Sequence, residues 1–189
     1  FREDDTIIDV GAHVGVFTLR AARMAQNGFI VAIEPHPLNY RVLTDNLKFN
    51  KISNVKALAL ALWHANGTSK LYLGYTGTHS LSFQGKDRTR YLDVRTRTLD
   101  TLVEQLGIKQ VNYVKIDVEG AEFEILRGGE KTLKRDDLFL SIAAYHTPTE
   151  IRDISRYLRN RGFRVFVYES AYVYAFKPRG KARTTLGSH

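Results

Sequence analysis

The chain has 189 residues, 43% of them hydrophobic and 25% charged, which suits one globular domain with its own buried core. It has no cysteine, which excludes disulfides and thiolate-based zinc sites, and no apolar run approaches the roughly 20 residues of a membrane-spanning helix. A formal net charge of +8 suits solubility and also admits an anionic partner such as nucleic acid.

The first residues, "FREDD", are polar and acidic, unlike a signal peptide, so the expected setting is the cytoplasm. Residues 6–10, "TIIDV", are a short apolar strand that runs into a turn at Gly11. A helical pattern follows over 15–26, carrying Val16, Leu19 and Met24. "FIVAIE", 29–34, is a second buried strand. Residues 37–50 read as a helix opened by Pro37, with Leu38, Val42 and Leu47 facing inward. "NVKALALAL", 54–62, is a third strand.

The rhythm then changes. "SKLYLGY" and "RYLDVRTRTL" are extended segments around a polar loop, 74–89, that holds His79 and Ser80. Residues 99–107 form a helix stopped by Gly107. "VNYVKIDVEG", 111–120, is a fourth strand, and "AEFEILRGG" and "EKTLKR" are short helical pieces. "LFLSIAAYH", 138–146, is a fifth strand. Residues 149–162 form a helix with Ile151, Ile154 and Leu158 on one face, ended by Gly162. Two strands, "RVFVYES" and "AYVYAFK", close the chain. They are too near one another for a helical crossover and must pair as an antiparallel hairpin. Part of the basic excess sits late, with Arg152, Arg156 and Arg159 at helical spacing. The expectation is one domain over 1–177 and a disordered basic tail over 178–189.

Strand and helix alternate nearly throughout, which predicts an α/β fold with a mostly parallel sheet covered on both faces. In such sheets ligands bind beyond the carboxyl ends of the strands. Those ends carry Asp9, Gly11, His13 and Gly15; then Glu34; then Asp117 and Glu119; then Tyr145 and His146. The first turn fails as a dinucleotide fingerprint G-x-G-x-x-G, because its places hold Gly11, His13 and Val16. Its D-x-G-A-x-x-G spacing is instead that of the first motif of S-adenosylmethionine (SAM) methyltransferases. Gly11 lets the chain leave the strand tightly, and Gly15 lets backbone and ligand approach at the helix start. Glu34, 25 positions after Asp9, is placed to accept both hydroxyls of a ribose. Turn and acid together point to a nucleoside ligand.

"IIDVGAHVGVFTL", "IEPHPLNYRVLTDNLKFN", "RTLDTL" and "VKIDVEGAEFEIL" occur in this order, and together they resemble the FkbM family of SAM-dependent methyltransferases over about residues 5–167. The resemblance implies a class I Rossmann-like fold, with a seven-stranded sheet that ends in the antiparallel hairpin read above. It implies that Asp9, Gly11, Ala12, His13 and Gly15 line the methionine half of SAM. Glu34, followed by Pro35, binds the ribose, Ala61 borders the adenine, and Asp117 and Glu119 lie beside the sulfonium or the acceptor. Two positions depart from the family pattern. His13 replaces an Asn, and Ala144 stands where many relatives carry a Glu two places before His146.

Methyl transfer to a hydroxyl gains from alignment and from a base. His146 is the first choice of base, because an imidazole exchanges its proton near neutrality, and Glu119 or Asp117 is second; a structural His146 under the loop at Thr147 and Pro148 is the alternative. No metal is expected: Asp117, Glu119 and Glu122 cluster, but no histidine accompanies them at a ligand spacing. Three functions follow. The first is methylation of a hydroxyl on a small molecule or sugar. The second is RNA methylation, which the charge suits but which lacks an N-P-P-Y-type motif. The third is a SAM- or nucleoside-binding module without catalysis. Oligomeric state is not legible.

Overall fold

A computed structural model describes residues 1–73, 79–81, 90–147 and 149–178. Most of the polar loop at 74–89, the side chain of His79 and the tail from residue 179 lie outside the described residues. In chain order the elements are β1 (Thr6–Val10), α1 (Val16–Met24), β2 (Phe29–Ile33), α2 (Pro37–Phe49), β3 (Val55–Leu58), β4 (Ala61–Leu62), β5 (Gly67–Leu73), β6 (His79–Ser80) and β7 (Tyr91–Arg97). They continue with α3 (Leu99–Gln105), β8 (Tyr113–Ile116), α4 (Glu122–Arg127), β9 (Leu138–Ala143), α5 (Glu150–Arg159), β10 (Arg164–Tyr168) and β11 (Tyr172–Lys177). A 3-10 turn spans Thr132–Lys134.

The main sheet has seven strands in the order β10-β11-β9-β8-β1-β2-β3, and every neighbour pair is parallel except those of β11. The apolar run of β1 places it at the centre, where Ile7 pairs with Ile30 on one side and Tyr113 on the other. Alternation splits its side chains between two cores. Ile8 and Val10 join Val31, Ile33 and the inward residues of α3, α4 and α5, whereas Ile7 joins Ile30 and the alanines of α1. Ala32 packs with Leu43 and Leu47 of α2 on that same side. Helices therefore cover both faces, as the alternation of elements predicts.

Three expectations need correction. The third strand does not run through 54–62. β3 ends at Leu58, and Ala61 and Leu62 leave the main sheet to pair in parallel with Thr96 and Arg97 of β7. β4, β7, β5 and β6 thus form a separate four-stranded sheet. An unbroken apolar run carries no mark of the crossing from one sheet to the other. Second, Val16, Met24, Leu38 and Val42 are exposed, while Ala21, Ala22, Leu43 and Leu47 face the core. In α1 small residues turn inward because the helix lies close to the sheet. Third, β8 and β9 end at Ile116 and Ala143, so Asp117, Glu119, Tyr145 and His146 sit in the turns beyond the strands. Ile151, Ile154 and Leu158 do face the core from α5, and Arg152, Arg156 and Arg159 are exposed on its outer side.

Candidate active site

The turn after β1 is shaped by its glycines and by one left-handed histidine. Gly11 has φ +79°, and a Cβ there would lie 2.0 Å from the carbonyl oxygen of Asp117. Gly11 therefore allows the turns after β1 and β8 to touch. Gly15 has φ +92°, and its missing Cβ makes room for Leu43 of α2. Gly15 itself does not line the cavity beyond the strand ends, although Val14 and Val16 on either side of it do. His13 stands at φ +52°, a region in which Asn, Asp and His are the enriched side chains. The exchange of Asn for His13 keeps a residue type suited to that backbone.

Asp9 lies behind this turn. It is fully buried and accepts from the Thr18 hydroxyl at 2.6 Å, and Lys115 Nζ reaches its other oxygen at 3.2 Å. The same ammonium donates to the Gly11 carbonyl at 2.8 Å and stands 3.9 Å from Asp117. Asp9 is thus a brace of the turn, not a wall of the cavity. Glu34, at the end of β2, is 5% exposed. Its Oε2 accepts from the His13 amide at 2.8 Å and its Oε1 from the His36 amide at 2.9 Å. Two backbone donors orient the carboxylate, Asn39 Nδ2 approaches Oε1 from the side at 3.5 Å, and Oε2 keeps a second acceptor position.

Beyond the strand ends lies a cavity of about 480 Å³. Gly11, Ala12, His13, Glu34, Pro35, Ala61, Asp117 and Glu119 line it; Asp9, Gly15 and His146 do not. Sequence reasoning missed the far wall, where the second sheet supplies Leu62 and Leu71, with Leu81 just past β6. It also missed Lys115 and Asn39. A lysine inside a strand gives no signal until its neighbours are known. Ser80, buried, donates to the carbonyl of Glu119 at 2.6 Å and ties the second sheet to the end of β8.

His146 sits behind Glu119 with its side chain 5% exposed. Its Nε2 is 3.3 Å from Glu119, and its Nδ1 is 3.3 Å from Glu122 and 3.7 Å from Glu150. The sequence argument that no histidine joins the acids fails in space: Asp117, Glu119 and His146 bring one ligand-type atom each within 4.8 Å, close enough to share a cation. Two of the three are already paired with each other, His146 with Glu119, and Asp117 stands 3.9 Å from the Lys115 ammonium. Burial pushes Glu122 up to about 8. Burial also disfavours a charged His146, but its contacts with Glu150, Glu122 and Glu119 outweigh this and raise its pKa. Glu150 is lowered: burial opposes its charge, and hydrogen bonds from His146 and Glu122 overcome that. Tyr145 beside them is pushed up to about 12, first by burial and then by Asp117 and Glu119, so its phenol keeps its proton.

The parallel sheet with its terminal antiparallel strand, and a cavity at the carboxyl edge, define a class I Rossmann-like methyltransferase fold. The model of the methyltransferase FkbM domain matches residues 9–165, and the chain belongs to that family, whose cofactor is SAM. The chain is 30% identical over 148 residues to Methyltransferase 1 of Beauveria bassiana, covering 68% of this chain and 59% of that protein. It is 28% identical over 159 residues to the hexuronic acid methyltransferase AglP of Haloferax volcanii, covering 82% and 62%. The crystal structure of a methyltransferase FkbM from Methylobacillus flagellatus superposes with a TM-score of 0.68 at 16% identity, over 93% of this chain and 44% of that one. The chain thus spans about three-fifths of the length of the curated relatives.

The donor set and the space fit SAM. The volume falls in the range of small-molecule sites, about 300–1,000 Å³. Glu34 offers one oriented carboxylate, Asp117 and Glu119 offer two more, and Leu62, Leu71 and Leu81 supply an apolar wall. No helix among the described residues is long and apolar enough to cross a membrane.

Proposed function

We propose that this domain transfers the methyl group of SAM to a hydroxyl of a small molecule or sugar. The observation that carries the reading is Glu34, a buried carboxylate held by two backbone amides at the rim of the cavity. Glu34 would accept the ribose hydroxyls, through the open position of Oε2 and in exchange for the long Asn39 contact on Oε1. The backbone of Gly11, Ala12 and His13 would flank the methionine half, with Asp9 and Gly15 supporting the turn from behind. Pro35 and Ala61, with Leu62, would border the adenine. Asp117 and Glu119 stand at the opposite end, where the acceptor would enter. Bound SAM supplies an electrophilic methyl on a sulfonium. The protein supplies alignment, and a carboxylate-lined end where a hydroxyl can be held. The sugar class is supported by AglP, a relative named for hexuronic acid.

The test is calorimetric titration of the chain with SAM and with its demethylated product, followed by transfer of labelled methyl to sugars, hydroxylated metabolites and RNA. Binding of SAM with labelling of a hydroxylated small molecule is the expected result. Labelling of RNA alone removes the acceptor assignment.

A further inference from the structure

His146 is enclosed by carboxylates from two successive crossovers. Glu119 and Glu122 follow β8, and Glu150 opens α5. Glu122 and Glu150 each also grip a backbone amide. Glu122 Oε1 accepts from Val118 at 3.1 Å, and Glu150 Oε2 accepts from His146 itself at 3.0 Å. These two residues therefore fix both turns and the imidazole between them. The remaining imidazole nitrogen, Nε2, points at Glu119, and of these four side chains only that of Glu119 lines the cavity. Glu119 stands at φ +59°, with its carbonyl held by Ser80. A left-handed non-glycine residue costs on the order of 1–3 kcal/mol, and strain of this kind gathers at functional sites.

We propose that His146 is a positioning residue that, gripped by Glu122 and Glu150, holds the carboxylate of Glu119 toward the cavity, and that Glu119 takes the proton of the acceptor hydroxyl. This rests on the hydroxyl-methylation reading above. In that step the hydroxyl oxygen forms the new C–O bond as the methyl C–S bond breaks. The C–S electron pair stays on sulfur, the O–H pair stays on oxygen, and the proton passes to Glu119. The shifted acidities agree with the geometry. Burial pushes the Glu122 pKa up to about 8 beside Glu150, and against its own burial the carboxylates around His146 raise its pKa and favour the imidazolium. An imidazolium has no lone pair to accept a proton, so it serves as a clamp and leaves basicity to the carboxylate in front. The groups facing it are Glu119, Glu122 and Glu150, with Asp117 in the same cluster and the Tyr145 ring at 4.3 Å.

The test follows the His146 ring signals by NMR across pH in the full chain, assigned by His146→Gln. The expected midpoint lies above 6.5, the ordinary value, and both Glu119→Gln and Glu150→Gln lower it. A midpoint at or below the ordinary value, or one that Glu119→Gln leaves in place, overturns the clamp. A second arm measures methyl transfer from labelled SAM to D-glucuronic acid. Glu119→Gln should slow it by about 10²-fold or more, the usual scale of general-base loss. His146→Gln should lower kcat while the KM for SAM holds. Wild-type rates in Glu119→Gln, or loss only in Asp117→Asn, overturn the base assignment. Failure of the wild-type chain to bind SAM, or to methylate D-glucuronic acid and every other hydroxylated acceptor of the panel above, removes the functional reading instead, and the ring titration then decides the clamp alone.

Discussion

Two strand-to-helix turns meet at the cavity, the one after β1 and the one after β8, and they share a plan. Each holds a non-glycine residue in the left-handed region, His13 in the first and Glu119 in the second. Each has a fully buried carboxylate behind it, Asp9 in one and Glu122 in the other. The difference lies in what holds that carboxylate. Asp9 is fixed by a lysine and a hydroxyl, whereas Glu122 is surrounded by groups that share protons. The turn after β1 is thus braced by an ion pair, and the turn after β8 by groups whose acidities are shifted by burial and by one another.

Removing the brace tests the first half and carries the largest expected effect. Lys115→Met keeps the length of the side chain but leaves Asp9 buried without its cation. Breaking a buried pair from one side costs about 3–5 kcal/mol. Chemical denaturation should show a loss of that size, together with weakened SAM binding because the Gly11 carbonyl loses its donor. A change below about 1 kcal/mol would mean that water replaces the ammonium and that the pair is not what holds the turn.

Next in size is Glu34→Ala. A hydrogen bond to a charged group contributes about 1.5–3 kcal/mol, so SAM affinity should fall by roughly 10- to 100-fold. Unchanged affinity in calorimetry removes the ribose assignment.

These two residues also mark the limits of what a sequence shows. The place of Glu34 is legible because an acid at the carboxyl end of the second strand falls on the edge where the cavity opens. The fold is legible too: apolar runs alternate with helical patterns, and the hairpin follows from the short separation of the last two strands. Lys115 is not legible, because its partners Asp9 and Gly11 lie on a neighbouring strand more than 100 residues away. The His146 cluster is hidden similarly. Local spacing brings Glu119 and Glu122 together, but His146 and Glu150 join them only when β9 pairs beside β8. The extended segments that became β5 and β7 are legible, but their membership of a second sheet is not, because β4 continues the apolar alternation of β3 without a breaker.

On the acceptor side the comparison sharpens with pH. Glu122 has a folded pKa of about 8 against an ordinary 4.5. A raised folded value means that the native state holds the proton more tightly than the unfolded chain. The stability gained is fully present below 4.5 and is lost as pH rises through about 8. The raised pKa of His146 acts in the same direction. Glu122→Gln keeps a neutral side chain that can accept from Val118 and donate to Glu150 at every pH. Thermal melts at pH 6 should place the variant near wild type, and at pH 9 the variant should be the more stable of the two. A constant difference between these pH values would show that Glu122 is already ionised in the folded protein.

The smallest effect concerns His13, which the family resemblance sets against an asparagine. His13 contributes its amide to Glu34 and its left-handed backbone to the turn. If the backbone is what matters, His13→Asn changes little, within about 0.5 kcal/mol, because Asn also tolerates that region. His13→Val puts a β-branched side chain into the same conformation and should cost about 1–2 kcal/mol. Its SAM affinity should drop with it, since a turn that relaxes toward negative φ withdraws the amide that orients Glu34. The informative outcome is a split between the two variants. Equal loss in both would assign the effect to the imidazole ring itself, in contact with the ligand. Loss in His13→Val alone would assign it to the backbone, and would explain why a histidine can replace the asparagine there without rebuilding the pocket.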